Sequence, residues 1–245
     1  MRVRAAFIAV AASRPSPSRA SARLAGAVLA AVTAACSVAA CGEDGAYSGG
    51  CVGGCDAPGG RELFGPAAPE DWTSFRNGPA RTGVATGAVL GDDVRVVWRA
   101  PEFLKLAYSA VKPSAAVWGD GLYVPSDDGV QWAFDRHTGD VRWSVKLSDA
   151  ANGIHGSPAV SKAVVWIGTY SGIVHALDRA TGDEVYRFFP GRWIGSSPIY
   201  VSAHDAVYVS HETSADGLPG AGLVTKNDPR TGRAIWKLRV LSSKT

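Results

Sequence analysis

The chain has 245 residues, of which 46% are hydrophobic and 9% aromatic, with 25 Lys and Arg against 22 Asp and Glu. A net charge of only +3 gives no electrostatic reason to expect nucleic acid. The sequence holds no Gly-x-Ser-x-Gly, no His-Glu-x-x-His and no Walker loop, so it announces none of the chemistries that those motifs carry.

Residues 1–41 contain five Arg and no Lys, Asp or Glu, and Arg19 and Arg23 precede an apolar run of small residues from Leu24 to Ala40. A basic head before a short apolar core is a secretory signal and not part of the fold. The run ends in Val38-Ala39-Ala40-Cys41-Gly42, which resembles a bacterial lipobox. That resemblance implies cleavage before Cys41 and lipidation of its sulfur. An ordinary signal-peptidase site and a short membrane anchor are the alternatives, and Cys36 is a poorer match. A second apolar run, Ala5 to Ala12, leaves a start downstream of Met1 open. Gly42 carries no inner-membrane retention signal, which favours the outer membrane. Removing the five Arg leaves 20 basic residues against 22 acidic ones, a net of −2, so the pI near 8.7 belongs to the leader.

Residues 42–70 read as a tether. Gly49-Gly50-Cys51-Val52-Gly53-Gly54-Cys55, Gly59-Gly60 and several Ala and Pro cannot bury a core. Cys51 and Cys55 stand four apart in what would be an oxidising compartment, the setting for a small local disulfide. A metal or redox pair is the less favoured reading, with no His nearby.

From residue 71 onward the sequence is strand-like. A first strand falls at Val94-Val96-Val97-Trp98. The next unit has turn signals at Asp120-Gly121 and Asp128-Gly129, where Asp-Gly supplies the positive φ of a tight hairpin. Its last strand alternates, with Val141, Trp143, Val145 and Leu147 on one face and Arg142, Ser144 and Lys146 on the other. The second unit runs Val164–Ile167, Ile173–Leu177 and Val185–Phe188, broken at Tyr170-Ser171-Gly172 and Ala180-Thr181-Gly182. The third has a Gly/Ala/Pro-rich insertion between Glu212 and Gly222. One pattern recurs in all three: Asp135-Thr138-Gly139-Trp143, Asp178-Thr181-Gly182-Tyr186 and Asp228-Thr231-Gly232-Trp236, with glycines 43 and 50 residues apart. Pro113, Pro158 and Pro198 open the units at similar intervals. Four short strands per 40–50 residues predict an all-β fold of four-stranded antiparallel propeller blades.

The spacing Ala133-x-Asp135-x-x-Thr138-Gly139-x-x-x-Trp143 resembles the repeat of PQQ-type, quinoprotein-like β-propellers. The second unit matches at Ala176, Asp178, Thr181 and Gly182, with Tyr186 for Trp. The third keeps Gly232 and Trp236 but has Lys226 at the Ala position. Asp71-Trp72-x-x-Phe75-Arg76 resembles the segment that opens such domains. The resemblance implies that each aromatic docks between blades against an Ala and a Thr-Gly peptide, and that Lys226 weakens the third docking. It implies seven or eight blades, whereas residues 71–245 account for about three full blades plus a closing strand ending in Trp98. The expectation is therefore a partial propeller, either the front portion of a larger one or a half-ring that closes by oligomerising.

No catalytic, cofactor or metal set rises from the residues. His137, His155, His175, His204 and His211 are scattered over the repeats, Asp127-Asp128-Gly129 reads as a hairpin turn and not a calcium loop, and the motif Asp residues read as turn acceptors. The segments before the leading Pro residues gather, in a propeller, near the central channel. Tyr108, His155, Arg192 and Trp193 are thus the candidate channel contacts, with hub packing of Tyr108 and Trp193 as the alternative. The family holds both quinoprotein alcohol dehydrogenases and non-catalytic assembly lipoproteins of the outer membrane. The resemblance implies a lipid-anchored envelope scaffold that binds envelope proteins and needs no cofactor. A PQQ-dependent oxidoreductase, for which vicinal Cys and Ca²⁺ ligands are missing after Cys55, and a surface sensor or adhesion module are the other readings.

Overall fold

The structure, a computed structural model, describes residues 67–85, 94–100, 112–149, 153–213 and 221–241. Cys41, Cys51, Cys55 and Tyr108, the leader, all but the last residues of the tether and the tip of the insertion lie outside the described residues.

Among the described residues twelve strands form three four-stranded antiparallel sheets, each in simple chain order. The first sheet is β1 (Ala116–Trp118), β2 (Gly121–Pro125), β3 (Val130–Asp135) and β4 (Val141–Lys146). The second is β5 (Ala159–Val160), β6 (Val164–Gly168), β7 (Val174–Asp178) and β8 (Glu184–Phe188). The third is β9 (Ile199–Val201), β10 (Ala206–Thr213), β11 (Ala221–Asn227) and β12 (Ala234–Leu241). The sheets stack face to face, and their β-branched and aromatic side chains interdigitate. Ala116, Tyr123, Ala133 and Trp143 of the first meet Val160, Val165, Ile167 and Leu177 of the second. Trp166, Ala176 and Tyr186 of the second meet Val207 and Val209 of the third. Trp98 and Ala100 cover Val124 and Phe134 on the first sheet's other face.

The recurring motif is the β3–β4 turn and its counterparts. The Asp Oδ1 accepts from the amides two and three residues on: His137 and Thr138 at 2.9 and 3.1 Å, Ala180 and Thr181 at 2.8 and 2.9 Å, Arg230 and Thr231 at 2.8 and 3.0 Å. The Thr Oγ1 accepts the amide two beyond it in each copy. Gly139, Gly182 and Gly232 sit at φ +81°, +81° and +72°, where a side chain is strained. A Cβ there would also collide with an aromatic ring of the preceding element: Trp98, Trp143 and Phe188 respectively.

Three details differ from the sequence reading. Residues 94–100 make only a single bridge, at Val96, and no strand. The positive φ of the β1–β2 turn belongs to Gly119 (+53°), not Gly121, whose Cβ position is filled by the Tyr123 ring. The ring over Gly232 is Phe188. Tyr186 is occupied two residues earlier, its hydroxyl donating to the Pro229 carbonyl at 2.6 Å.

The opening segment ties the sheets together. Trp72 exchanges two backbone hydrogen bonds with Val117 of β1, at 3.0 and 2.7 Å, and the Val160 amide of β5 donates to the Thr73 carbonyl at 2.8 Å. Arg81 Nη2 donates to the Ser197 carbonyl just before β9, at 3.0 Å. Asp71 Oδ1 accepts the Gly119 amide at 2.7 Å. One strap thus contacts the first strand, or its approach, of every sheet.

Candidate binding face

Antiparallel order puts the β2–β3 and β6–β7 turns at the same end as the β4–β5 and β8–β9 connections, opposite the Thr-Gly turns. At this end side chains from successive connections meet in a line. Lys112 Nζ pairs with Asp127 Oδ2 at 2.9 Å. Asp127 Oδ1 lies 3.1 Å from His155 Nε2, without the alignment of a hydrogen bond. The His155 ring packs on Tyr170, centroids 4.7 Å apart, and Tyr170 stacks on Trp193 at 6.0 Å and 11°. The Glu212 amide of β10 then donates to the Trp193 carbonyl at 3.0 Å. The line runs from the approach to β1 across to the third sheet.

Close backbone approach fixes these connections. A Cβ on Gly153 would overlap the Asp127 carbonyl, and one on Gly156 the Ser196 carbonyl. A Cβ on Gly191 would run into the His211 ring. Gly172, at φ +92°, faces the carbonyls of Gly191 and Arg192 and the Phe189 ring. The result is an aromatic platform on fixed loops. Trp193 is 41% exposed, Phe189 is 56% exposed and Arg192 is exposed beside them. Beneath it, His211 is buried and neither ring nitrogen has a hydrogen-bond partner. Burial lowers its pKa, the polar backbone of Glu212 opposes this, and the nearby Lys237 charge acts in the same direction as burial.

Of the sequence candidates, His155 and Trp193 come together through Tyr170, and Arg192 adjoins them. Sequence reasoning missed Asp127 and Tyr170. The doubled acid in Asp127-Asp128-Gly129 was the available signal, since the turn itself uses Asp128, whose carboxylate takes the Ser126 hydroxyl. The docking residues fall elsewhere. Ala133 pairs with Trp143 and Ala176 with Tyr186 across neighbouring strands, and Lys226 pairs with Trp236, which is 41% exposed.

A protein-family model described as outer membrane protein assembly factor BamB matches residues 84–245. The chain belongs to the BamB family. It is also 33% identical over 132 residues to the quinohemoprotein alcohol dehydrogenase ADH IIB of Pseudomonas putida, a match covering 47% of this chain and 19% of the dehydrogenase. The crystal structure of quinohemoprotein alcohol dehydrogenase from Comamonas testosteroni is similar at a TM-score of 0.58 and 22% identity, over 76% of this chain and 29% of that one. A europium-containing methanol dehydrogenase is similar at 0.55 and 20%, over 70% and 32%. These likenesses make the fold a PQQ-like repeat β-propeller whose blades are the three sheets. The chain spans about a fifth of the length of the curated dehydrogenase.

Proposed function

We propose that this protein is a non-catalytic, lipid-anchored scaffold of the cell envelope that holds envelope proteins against its blade-connection face. The observation that carries the reading is the Tyr170–Trp193 stack: half-exposed aromatic surface on loops pinned from both sides. Rigid aromatics that keep one face open are the usual anchors of protein recognition, because they bury large area at small entropic cost. Membership of the assembly-factor family supports the same reading, and Cys41 supplies the tether to the outer membrane.

The likeness to quinohemoprotein dehydrogenases favours a second reading, an oxidoreductase using PQQ. The blade-connection face fits that group poorly. Asp127, a carboxylate of that face, already faces Lys112 and His155. Among the described residues no three His, Cys, Asp or Glu side chains gather as a metal-holding group.

The test is in-cell photo-crosslinking from position 193 with membranes solubilised afterwards, compared with the Trp193→Ala protein. Discrete adducts with outer-membrane assembly proteins that disappear on moving the crosslinker to exposed Lys162 support the scaffold. Saturable PQQ binding by the purified chain, with no such adducts, would replace it with the oxidoreductase. Cys41→Ala should move the protein from the membrane to the soluble fraction.

A further inference from the structure

β10 runs on past β9. Its pairing with β9 ends at Tyr208, while its pairing with β11 continues to Thr213. Along this stretch the Gly191–Ser196 connection lies where β9 would continue, and it is fastened at two points. The Ser196 hydroxyl donates to the Ser210 carbonyl, and the Glu212 amide donates to the Trp193 carbonyl at 3.0 Å. Between these points stands His211. Alternation sets it on the same face as Val207 and Val209, both buried against the second sheet. Its ring fills the space that a Cβ on Gly191 would occupy. Ile194, fully buried, is held in turn by Gly168, where a Cβ would overlap the Ile194 Cγ2.

This slot suits a neutral imidazole and not a charged one. His211 is 4% exposed, and neither ring nitrogen has a partner. Protonation turns the ring's one acceptor into a second N–H donor and buries a charge with it. Among the described residues the elements packed around it supply no counter-charge on its side. Across the third sheet His211 pairs with Leu223 and Leu223 with Arg239, and Lys237 is one row further along the same face. The connection contributes Arg192. The second sheet turns Trp166, Val174, Ala176 and Tyr186 towards this side, none of them charged. Glu212 is the adjacent acid, but its side chain alternates to the opposite face of β10 and is exposed.

We propose that His211 is a proton-operated latch for the blade-connection face. Once protonated, the ring leaves its slot, Gly191–Trp193 lift from β10, the Tyr170–Trp193 stack opens and the face releases its partner. Ile194 is the pivot. In the opened form the ring stands in water, where a His titrates at about pH 6.5. In the slot, burial lowers its pKa. Acid therefore draws the chain towards the open form, and one pH unit below 6.5 the gain in opening is at most about tenfold. Release of a partner rests on the scaffold reading, whereas the latch itself is a property of this chain.

The test is amide hydrogen exchange in the purified full chain at pH 7.5 and pH 5.5, corrected for the intrinsic effect of pH. It is read at Glu212 and, for reference, at Trp166 in the second sheet. The expected result is protection at Glu212 that falls several-fold, up to about tenfold, at pH 5.5, with Trp166 unchanged and no fall in His211→Leu. Should His211→Leu fail to fold, His211→Phe makes the same comparison with a ring that takes no proton. Gly191→Ala, whose Cβ displaces the imidazole, should leave Glu212 weakly protected already at pH 7.5. Equal protection at both pH values in the native chain overturns the latch, as does an equal fall in the His211 variants. The partner is followed by photo-crosslinking from the exposed position 189 at the same two pH values. Adducts that fall several-fold at pH 5.5 in the native chain alone support release, and adducts that persist overturn it. Absence of adducts at pH 7.5, with Glu212 still responding to pH, overturns the scaffold reading and leaves the latch standing.

Discussion

The Trp143 indole donates to the Arg179 carbonyl at 3.1 Å while lying over the bare face of Gly182, so one side chain both bonds and seals the junction between two blades. A ring of this size hides roughly 150–250 Å², worth at most about 4–6 kcal/mol at about 25 cal/mol per Å². Trp143→Ala should therefore cost about 3–5 kcal/mol and lower the melting midpoint by roughly 10 °C. A thermal melt with an unchanged midpoint would show that the blades are held together elsewhere.

The motif turns should respond to acid in a narrow window. The Arg142 hydrogen bond at 2.6 Å holds the Asp135 carboxyl down at about 2 against the opposing effect of burial, and the His137 and Thr138 amides add to it. A carboxyl depressed in the folded state stabilises fully above its unfolded pKa of about 3.9, and that contribution is lost as pH falls towards 2. Because Asp135 and Arg142 are both partly exposed, the effect is modest. Asp135→Asn should be less stable than the native chain by about 1 kcal/mol at pH 6, with the gap closing by pH 2. Urea melts at both values decide it; a constant gap contradicts the charge argument.

The sequence made the blades legible because their turns need particular residues. Asp, Thr and Gly each perform a separate backbone task at the β3–β4 turn, and the spacing to the docking aromatic is set by the bulged register that follows. The blade-connection face was legible only at His155, Arg192 and Trp193. Asp127 and Tyr170 come to it from two different hairpin turns, and a turn residue that also bridges blades looks locally like any other turn residue. The exchange of Tyr186 for Phe188 over Gly232 was hidden for a similar reason. The motif position fixes which residue reaches the carbonyl, but the space left beside a phenol, smaller than an indole, is filled by whichever neighbour shares that face. The strap at Trp72 and Thr73 bonds through its backbone, which no side-chain pattern records.

His211 predicts a second pH response, nearer neutrality. Its ring is buried against Gly191 with no partner at either nitrogen, and burial lowers its pKa. Around it stand Glu212 on its own strand, Lys237 on β12 and Arg192 on the connection above. Below about pH 6.5 the unfolded chain takes a proton that the folded one resists, so stability falls as pH drops through that value towards the folded pKa. His211→Leu should flatten the slope of stability between pH 7 and pH 5. Trp193, on the connection resting on His211, should report the loosening as a fluorescence change in the native chain alone; identical profiles in both proteins would acquit the histidine.

Asp127 separates stability from binding. Its partner Lys112 is more than half exposed, and exposed pairs contribute little, so Asp127→Asn should cost only about 1 kcal/mol. The consequence for the face is larger in kind. Without the carboxylate His155 loses what holds it at one edge, and the ring it supports, Tyr170, is the one on which Trp193 stacks. Under the scaffold reading, crosslinks from position 193 should fall several-fold in Asp127→Asn although the melting midpoint barely moves. Trp143→Ala should do the reverse at a temperature where the variant is still folded, losing stability while keeping its adducts. If both variants lose crosslinking only in proportion to the unfolded fraction, the line from Lys112 to Trp193 is packing alone.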